Sequence, residues 1–283
     1  MKILRTALVA AVLSCSGSVL AEEIFSSDLE AGALSQIFFD VNSYDGVQVG
    51  LSSDVAHSGT KSIKITYPND EAGVELKPAA FSSTRSLYTR KYEYFGPGWE
   101  GNWPVGLKTG RYFTRSDFGT GTDGSAYAYM SEKLAWQGYD GNANDQYARG
   151  LNMAIYNQDI EATYPSSTLF GNNLPYLRTG HWYKMETWMV LNSAVDVADG
   201  VLQIWIDDEL VLNRTNVVWR STARGVPNGT GWQSMWFGGN YSGASFGPPG
   251  TALNRYIDDL YVSTTLDRSD SPRPQAPTGV QVE

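Results

Sequence analysis

Apolar and polar side chains alternate with a period of two through much of residues 180–263, which is the pattern of half-buried β-strands. The first segment reads GHWYKMETWMVLN, in which Tyr183, Met185 and Met189 share one parity and predict a buried strand face. The next segment reads ADGVLQIWIDDELV. Its polar break at Asp207 and Asp208 predicts a tight turn, and therefore a β-hairpin.

The final segment of this pattern reads NRYIDDLYVST and predicts one more strand. Strict alternation would place Tyr256, Leu260 and Val262 on one face of that strand. Ile257 and Tyr261 would then lie on the opposite face.

Shorter alternating runs, separated by turn residues, fill the rest of the chain. Strands are predicted at residues 61–67, 74–76, 87–95, 112–113, 125–134 and 149–156. Residues 96–110 are rich in Gly, Trp and Pro and predict a loop. Because convincing helical periodicity is absent, the pattern predicts one all-β domain, either a sandwich or a barrel.

The two ends of the chain have a different composition. Lys2 and Arg5 precede a short apolar run, and Ala21 suits a cleavage site, so residues 1–21 predict a secretory signal peptide. Lipidation at Cys15 is an alternative that its flanking residues fit poorly. The sequence therefore predicts a secreted or periplasmic protein with a mature domain at 22–266. Residues 267–283 predict a Pro-rich tail.

Charge and cysteine content narrow the classes of partner. The net charge is −9 and becomes more negative once the signal peptide is removed, which argues against nucleic acid. An anionic substrate remains possible, because a local basic cleft can outweigh the global field. Cys15 is the only cysteine, so no disulfide is expected after cleavage. No other segment is apolar enough to span a bilayer, and we expect a monomer without membrane attachment.

The order of segments resembles the jelly-roll polysaccharide lyases, the alginate- and glucuronan-lyase-like families. Those families carry a G-x-W strand, a D-G-x-L hairpin, an F-F-G-G strand end and a final I-D-D-F-x-V-S strand. Here these correspond to Gly180–Asn192, Asp199–Asp207, Trp236–Gly239 and Ile257–Ser263. The resemblance implies a β-jelly-roll sandwich of two antiparallel sheets with a concave cleft. It also implies β-elimination on a uronate-containing polymer.

Two other functions stay open beside the lyase. A non-catalytic carbohydrate-binding protein of the same fold is the main alternative. A glycosidase is the third, although the paired-carboxylate pattern of jelly-roll glycosidases is missing from the strands.

β-Elimination needs a group that neutralises the substrate carboxylate, a base for the C5 proton and an acid for the leaving oxygen. Relatives of this fold use Tyr, Lys, Arg, Asn, Gln or His on the concave sheet. We therefore expect Tyr129 and Tyr156 to transfer protons, since phenols alternate with apolar residues on both predicted strands. A tyrosine pKa of ~10 would need a neighbouring cation to make the phenolate accessible.

Lys108 is the third predicted catalytic residue, although its position departs from the family pattern. Relatives carry an important lysine in a G-G-K-L-P-G-L segment, but here Asn102 lies near that position and Lys108 is displaced. Trp99 and Trp103 are expected to stack on sugar rings, because a flat aromatic side chain suits the apolar face of a pyranose. The predicted substrate-binding residues are Arg149, Asn152, Tyr127, Arg111, Trp99 and Trp103.

A structural calcium ion is the one cofactor we expect, and no organic cofactor is predicted. Carbohydrate-binding jelly rolls often join their first and last strands through such an ion. Asp28, Glu30 and Asp258 would supply the hard oxygen ligands, together with backbone oxygens near Lys61.

Overall fold

The computed structural model describes residues 22–68, 72–99, 107–118, 127–136, 148–157, 160–161, 176–223, 225–241 and 252–268. This part of the chain contains a short 3₁₀ helix at Leu34–Gln36 and sixteen strands. In chain order the strands are β1 (Glu23–Ser27), β2 (Asp40–Tyr44), β3 (Gln48–Ser52), β4 (Ser62–Tyr67), β5 (Ala72–Lys77), β6 (Ser86–Phe95), β7 (Leu107–Phe113), β8 (Ala128–Trp136), β9 (Ala148–Asn157), β10 (Ile160–Glu161), β11 (Tyr176–Leu177), β12 (Trp182–Val190), β13 (Gly200–Ile206), β14 (Glu209–Val217), β15 (Ser234–Tyr241) and β16 (Leu253–Ser263).

The strands form two eight-stranded antiparallel sheets. Sheet I has the order β14-β13-β12-β6-β16-β4-β3, and β1 also pairs with β16. Sheet II has the order β10-β9-β8-β7-β15-β5-β2, and β11 also pairs with β9. Both sheets combine hairpin neighbours with pairs that are distant in sequence, such as β6 with β16 and β7 with β15, as in a jelly roll. The predicted all-β jelly-roll sandwich of two antiparallel sheets is therefore confirmed.

The predicted hairpin joins β13 to β14. Asp207 and Asp208 both have positive φ, of 49° and 69°. Two consecutive left-handed residues are what a two-residue hairpin turn requires, because that turn matches the twist of the flanking strands. Ile206 pairs with Glu209 across the turn, as a two-residue loop demands.

The core lies between the sheets, and the alternation seen in the sequence decides which side chains fill it. On β12, Met185 and Met189 are 3% and 0% exposed. Met130 of β8 and Phe237 of β15 are fully buried and face them from sheet II. The predicted buried face of the 180–192 segment is therefore confirmed.

The predicted faces of the last strand are partly wrong. The register of β16 against β6 shifts between Asp258 and Tyr261, and Asp259 adopts a positive φ of 47°. This bulge adds one residue and inverts the alternation. Ile257 and Leu260 consequently both lie in the core, on the same face of the strand.

The loop predicted at residues 96–110 ends earlier in the structure, because a strand begins at residue 107. β7 begins at Leu107, which is fully buried and pairs with Leu134 of β8. Lys108 therefore belongs to a strand and not to a loop. Its carbonyl approaches β15 so closely that a Cβ on Gly239 would lie 1.3 Å from it. Only glycine fits there.

A buried polar network connects the two sheets, and the sequence did not predict it. Lys91 of β6 lies between Glu93 and Glu132, with Nζ–O distances of 2.9 and 2.6 Å. Arg255 of β16 donates two hydrogen bonds to Glu93, at 2.9 and 2.7 Å. Tyr112 of β7 donates to Glu132 at 2.5 Å. The two cations and two carboxylates balance, which is the condition under which buried charges are tolerated.

The predicted signal peptide, residues 1–21, lies outside the described residues, as does the tail from 269 onwards. The first strand begins at Glu23, two positions after the predicted cleavage site. Arg268, beyond the predicted domain end, packs 4.5 Å from the ring of Trp205 on sheet I. None of the described helical residues form a segment long and apolar enough to cross a membrane.

Candidate active site

The outer face of sheet II carries a ladder of cations and aromatic rings. The guanidinium of Arg111 on β7 lies 5.0 Å from the ring of Trp236 on β15. On its other side it lies 5.8 Å from the ring of Tyr129 on β8. Tyr129 in turn stacks on Phe113, with ring centroids 5.7 Å apart. Successive side chains of β7 point to opposite faces of the sheet. Arg111 and Phe113 therefore lie on the outer face, while Tyr112 points into the core.

The ladder continues towards the end of β7. Tyr127 lies 6.0 Å from Tyr129 and 6.3 Å from Phe113. Arg115 lies 5.1 Å from the ring of Tyr127 and is also paired with Asp117. Two arginines and four rings thus share one side of the sheet. Neither Arg115, two residues after β7, nor Trp236 of β15 was among the predicted site residues, although the alternation of side chains places Trp236 on this face.

Two buried polar atoms in the ladder have no hydrogen-bond partner among the described residues. They are Nε of Arg111 and Oγ of Ser131. The two residues are direct cross-strand partners on β7 and β8, and Ser131 is 0% exposed. An unsatisfied buried donor costs about 1–3 kcal/mol, so the pair requires a partner, which a water molecule or a ligand can supply. A guanidinium beside a hydroxyl suits a carboxylate.

The strand register brings the predicted catalytic positions together. Tyr156 on β9 is the cross-strand partner of Tyr129. Lys108 is the partner of Lys133, which is in turn the partner of Asn152. Cross-strand partners belong to the same face of a sheet, so these positions share the outer face with the ladder. The side chains of Tyr156, Asn152 and Arg149 lie outside the described part of the structure, as does all of Trp103.

A bulge decides the face of Arg149. Leu134 pairs with Leu151 but Trp136 pairs with Ala148, so β9 has one extra residue at this point. The extra residue inverts the alternation along β9. Position 149 consequently falls on the outer face, opposite Tyr176 of β11.

The prediction that Trp99 stacks on sugar is wrong. Trp99 is 0% exposed, and its indole N–H donates a 2.7 Å hydrogen bond to the carbonyl of Asn254. Its ring packs edge-on against Tyr67 and Phe95. The residue follows a turn in a polar, Gly-rich segment, and composition alone did not reveal that this turn folds back into the core.

Tyr44 lies over Gly73 at the edge of the same face. Burial, followed by the charge of Glu75, raises the pKa of Tyr44 to about 12, although Arg111 acts in the opposite direction. Its phenol therefore keeps its proton at neutral pH. It suits a hydrogen-bond donor and not a base.

Two of the three residues predicted to bind calcium, Glu30 and Asp258, contact the loop before β4. Glu30 accepts hydrogen bonds from the backbone N–H groups of Thr60 and Lys61, at 2.8 and 2.9 Å. Asp258 accepts from the N–H of His57 at 2.7 Å, and burial raises the pKa of Asp258 to about 6. Asp28 accepts from the N–H of Glu30.

An ammonium group already occupies part of this region. Lys61 Nζ donates to the carbonyl oxygens of Glu30 and Ala31, at 3.3 and 3.0 Å. Within the described ranges, no group of three or more His, Cys, Asp or Glu is arranged to hold a metal ion. Calcium binding stays a prediction. Melting curves with and without chelator test it, since an ion that binds only the folded state raises Tm.

Several solved structures are similar to this fold. An endo-β-1,4-glucuronan lyase from the fungus Trichoderma reesei matches with a TM-score of 0.56 and 17% identity, over 86% of this chain and 96% of its own. The alginate lyase Aly36B, in a mutant form bound to an alginate trisaccharide, matches with a TM-score of 0.59 and 15% identity, over 87% and 98%. At these identities the likeness establishes the fold alone.

The family is established by sequence. Among curated proteins none matches the chain. A PL-14 alginate lyase from Aplysia kurodai matches in structure, with a TM-score of 0.53 and 16% identity, over 85% of this chain and 98% of its own. The family described as Polysaccharide lyase 14 matches residues 109–258, which include most of β7, all of β8 and β9, and the ladder. Because that match spans more than half of the sequence, this chain belongs to polysaccharide lyase family 14.

Proposed function

We propose that the protein cleaves a uronate-containing polysaccharide by β-elimination on the outer face of sheet II. The observation that carries the proposal is the pair of unsatisfied polar atoms, Arg111 Nε and Ser131 Oγ, beside Tyr129. A uronate carboxylate would satisfy both donors at once. Membership of a polysaccharide lyase family supports the reaction class.

The proposed reaction starts at the carbon next to the carboxylate. Arg111 and Ser131 bind the carboxylate and stabilise the negative charge that develops on it, so that the C5 proton becomes acidic. One of the two tyrosines, Tyr129 or Tyr156, takes this proton in its phenolate form, which the nearby guanidinium of Arg111 stabilises. The electron pair of the broken C–H bond forms the C4–C5 double bond while the C4–O bond breaks. The other tyrosine gives a proton to the departing oxygen.

The structural neighbours support the substrate class. One is named a glucuronan lyase and two are named alginate lyases, one of these in complex with an alginate trisaccharide. Both polymers are chains of uronates. The aromatic rings of the ladder suit the apolar faces of pyranose rings, and Arg111 and Arg115 suit their carboxylates.

The test is a screen of alginate, glucuronan and other anionic polysaccharides for the rising absorbance of the unsaturated product. We expect turnover on at least one uronate polymer. Tyr129→Phe and Tyr156→Phe keep the ring and remove only the hydroxyl. Each should therefore retain binding and lose about 10²-fold or more in kcat.

Two results would contradict the proposal. If both Phe variants degraded the preferred polymer at the parental rate, the tyrosines would not transfer the protons. If the parent bound a polymer without ever producing the unsaturated end, the protein would be a carbohydrate-binding protein of this fold.

A further inference from the structure

The outer face of sheet I, on the opposite side of the sandwich, carries a second row of aromatic residues. Tyr256 of β16, Tyr94 of β6 and Trp182 of β12 are direct cross-strand partners, and we call them the sheet-I row. Neighbouring ring centroids are 5.7 and 5.4 Å apart. Tyr94 and Trp182 are partly exposed. The row therefore runs across three adjacent strands at one level of the sheet.

A histidine from the loop before β4 adds to the row. The ring of His57 stacks on Tyr92 at 3.6 Å and meets Trp182 edge-on at 5.7 Å. Its Nδ1 lies 2.7 Å from Asp259, and its backbone N–H donates to Asp258. The loop is thus fixed at both backbone and side chain. The side chain of His57 is 31% exposed and lies over Tyr92 and against Trp182.

Exposed carboxylates lie at both ends of this row. Asp54 lies at the Tyr256 end, with a side chain that is 52% exposed. Asp207 lies at the Trp182 end of β12, with a side chain that is 46% exposed. The cations beside the row are paired with carboxylates: Lys64 with Asp54 and Lys184 with Asp208, each at 2.6 Å.

Carboxylates beside aromatic rings favour one kind of carbohydrate. Sugar hydroxyls donate hydrogen bonds, and a carboxylate accepts them strongly. A polymer that itself carries a carboxylate on every residue would meet cations that Asp54 and Asp208 already neutralise, and Asp207 would repel it. On sheet II, Arg111 and Arg115 lie among the rings of the ladder. That face therefore favours a polymer that carries carboxylates.

We propose that the sheet-I row is a second, non-catalytic binding site for an uncharged polysaccharide. Rings of Tyr94 and Trp182 contact the apolar faces of its sugars, while Asp54 and Asp207 accept hydrogen bonds from its hydroxyls. The protein would then hold a neutral polymer on one face of the sandwich and act on an anionic polymer on the other. Such an arrangement suits a material in which the two polymers are mixed.

Affinity electrophoresis tests this inference with hydroxyethyl cellulose, galactomannan and xyloglucan as neutral probes and alginate as the anionic probe. We expect at least one neutral polymer to retard the parent protein. Trp182→Ala and Tyr94→Ala should each weaken that retardation about tenfold or more, because aromatic anchors dominate such contacts. Activity on the anionic polymer should stay at the parental level in both variants.

Trp188→Ala is the matched control, since Trp188 lies on the same face of β12 but pairs with Tyr88, outside the row. It should bind neutral polymers like the parent. Melting curves identify any variant that fails to fold. In that case Asp207→Asn replaces it and should also weaken the retardation, because it removes a charged acceptor for the sugar hydroxyls. If no neutral probe retards the parent, or if Trp188→Ala loses as much affinity as Trp182→Ala, the inference is wrong. Neither result bears on the lyase activity, which is measured separately.

Discussion

Arg111 is the residue on which the proposed chemistry depends most directly. Its Nε is buried and lacks a hydrogen-bond partner among the described residues. We expect Arg111→Gln to lower kcat/KM on the preferred uronate polymer by about 10²-fold or more, because the charge that meets the developing anion is removed. Steady-state kinetics measure this effect. Arg214→Gln, on β14 of the other sheet, should leave kcat/KM unchanged.

Substitution of Trp99 can distinguish a role in the core from a role in substrate binding. Trp99→Phe keeps an aromatic ring but removes the N–H that bonds to the Asn254 carbonyl. We expect the free energy of unfolding to fall by about 1–3 kcal/mol while KM stays unchanged. Urea denaturation and kinetics on the same preparation measure both quantities. A raised KM with parental stability would restore Trp99 to the substrate site.

For single residues, the sequence predicted the candidate side chains better than their burial and hydrogen bonding. Tyr129 and Tyr156 were found because phenols alternated with apolar residues, and the register makes them partners. Trp99 was misjudged because a Gly-rich segment looked exposed. The unsatisfied atoms of Arg111 and Ser131 became visible only in the structure, since hydrogen bonding depends on pairs that are distant in sequence.

Among the elements, β6 and β8 are joined by the buried network rather than by apolar packing alone. Lys91→Met would leave Glu132 and Glu93 without their shared ammonium. We expect a loss of about 3–5 kcal/mol in the free energy of unfolding, because a buried carboxylate is left uncompensated. Urea denaturation measures it. The double variant Lys91→Met/Glu132→Gln should be less destabilised than the sum of the two single changes.

The same network predicts a pH dependence. Burial alone would raise the pKa of Glu132, but Lys91 and the hydroxyls of Tyr112 and Thr187 hold that pKa below its ordinary value. A depressed carboxyl pKa stabilises the fold above the unfolded pKa, and the contribution is lost as pH falls through the folded pKa. The parent should therefore lose stability below about pH 4. In Glu132→Gln this component of the loss should be absent from urea midpoints measured between pH 3 and 7.

Elements with uninterrupted alternation were predictable, and those with an added residue were not. The 180–192 strand and the hairpin at Asp207 followed directly from parity and turn residues. The faces of β16 were misassigned because a bulge at Asp258 and Asp259 leaves no clear mark in the sequence. Lys91, Glu93 and Arg255 looked like ordinary polar strand residues, although each lies in the interior.

For the whole molecule, export remains a prediction that a direct measurement can test. Expressed with its leader in a bacterium, the protein should be recovered from the periplasm or the medium with Glu22 as its first residue. N-terminal sequencing or intact mass measures this. A chain that remains in the cytoplasm and retains residues 1–21 would contradict the signal peptide.

The pairing of β1 with β16 has a consequence for how the protein reaches its folded state. Glu23 meets Ser263, so the first and last strands of the described chain close one sheet together. β6, at the centre of that sheet, pairs with β12 and β16, which are both synthesised later. Sheet I consequently cannot be completed while its C-terminal strands are still being synthesised. Loop closures of this length make folding slow. An incomplete sheet I during synthesis would suit the predicted export, because the chain would reach the membrane before its first and last strands have paired.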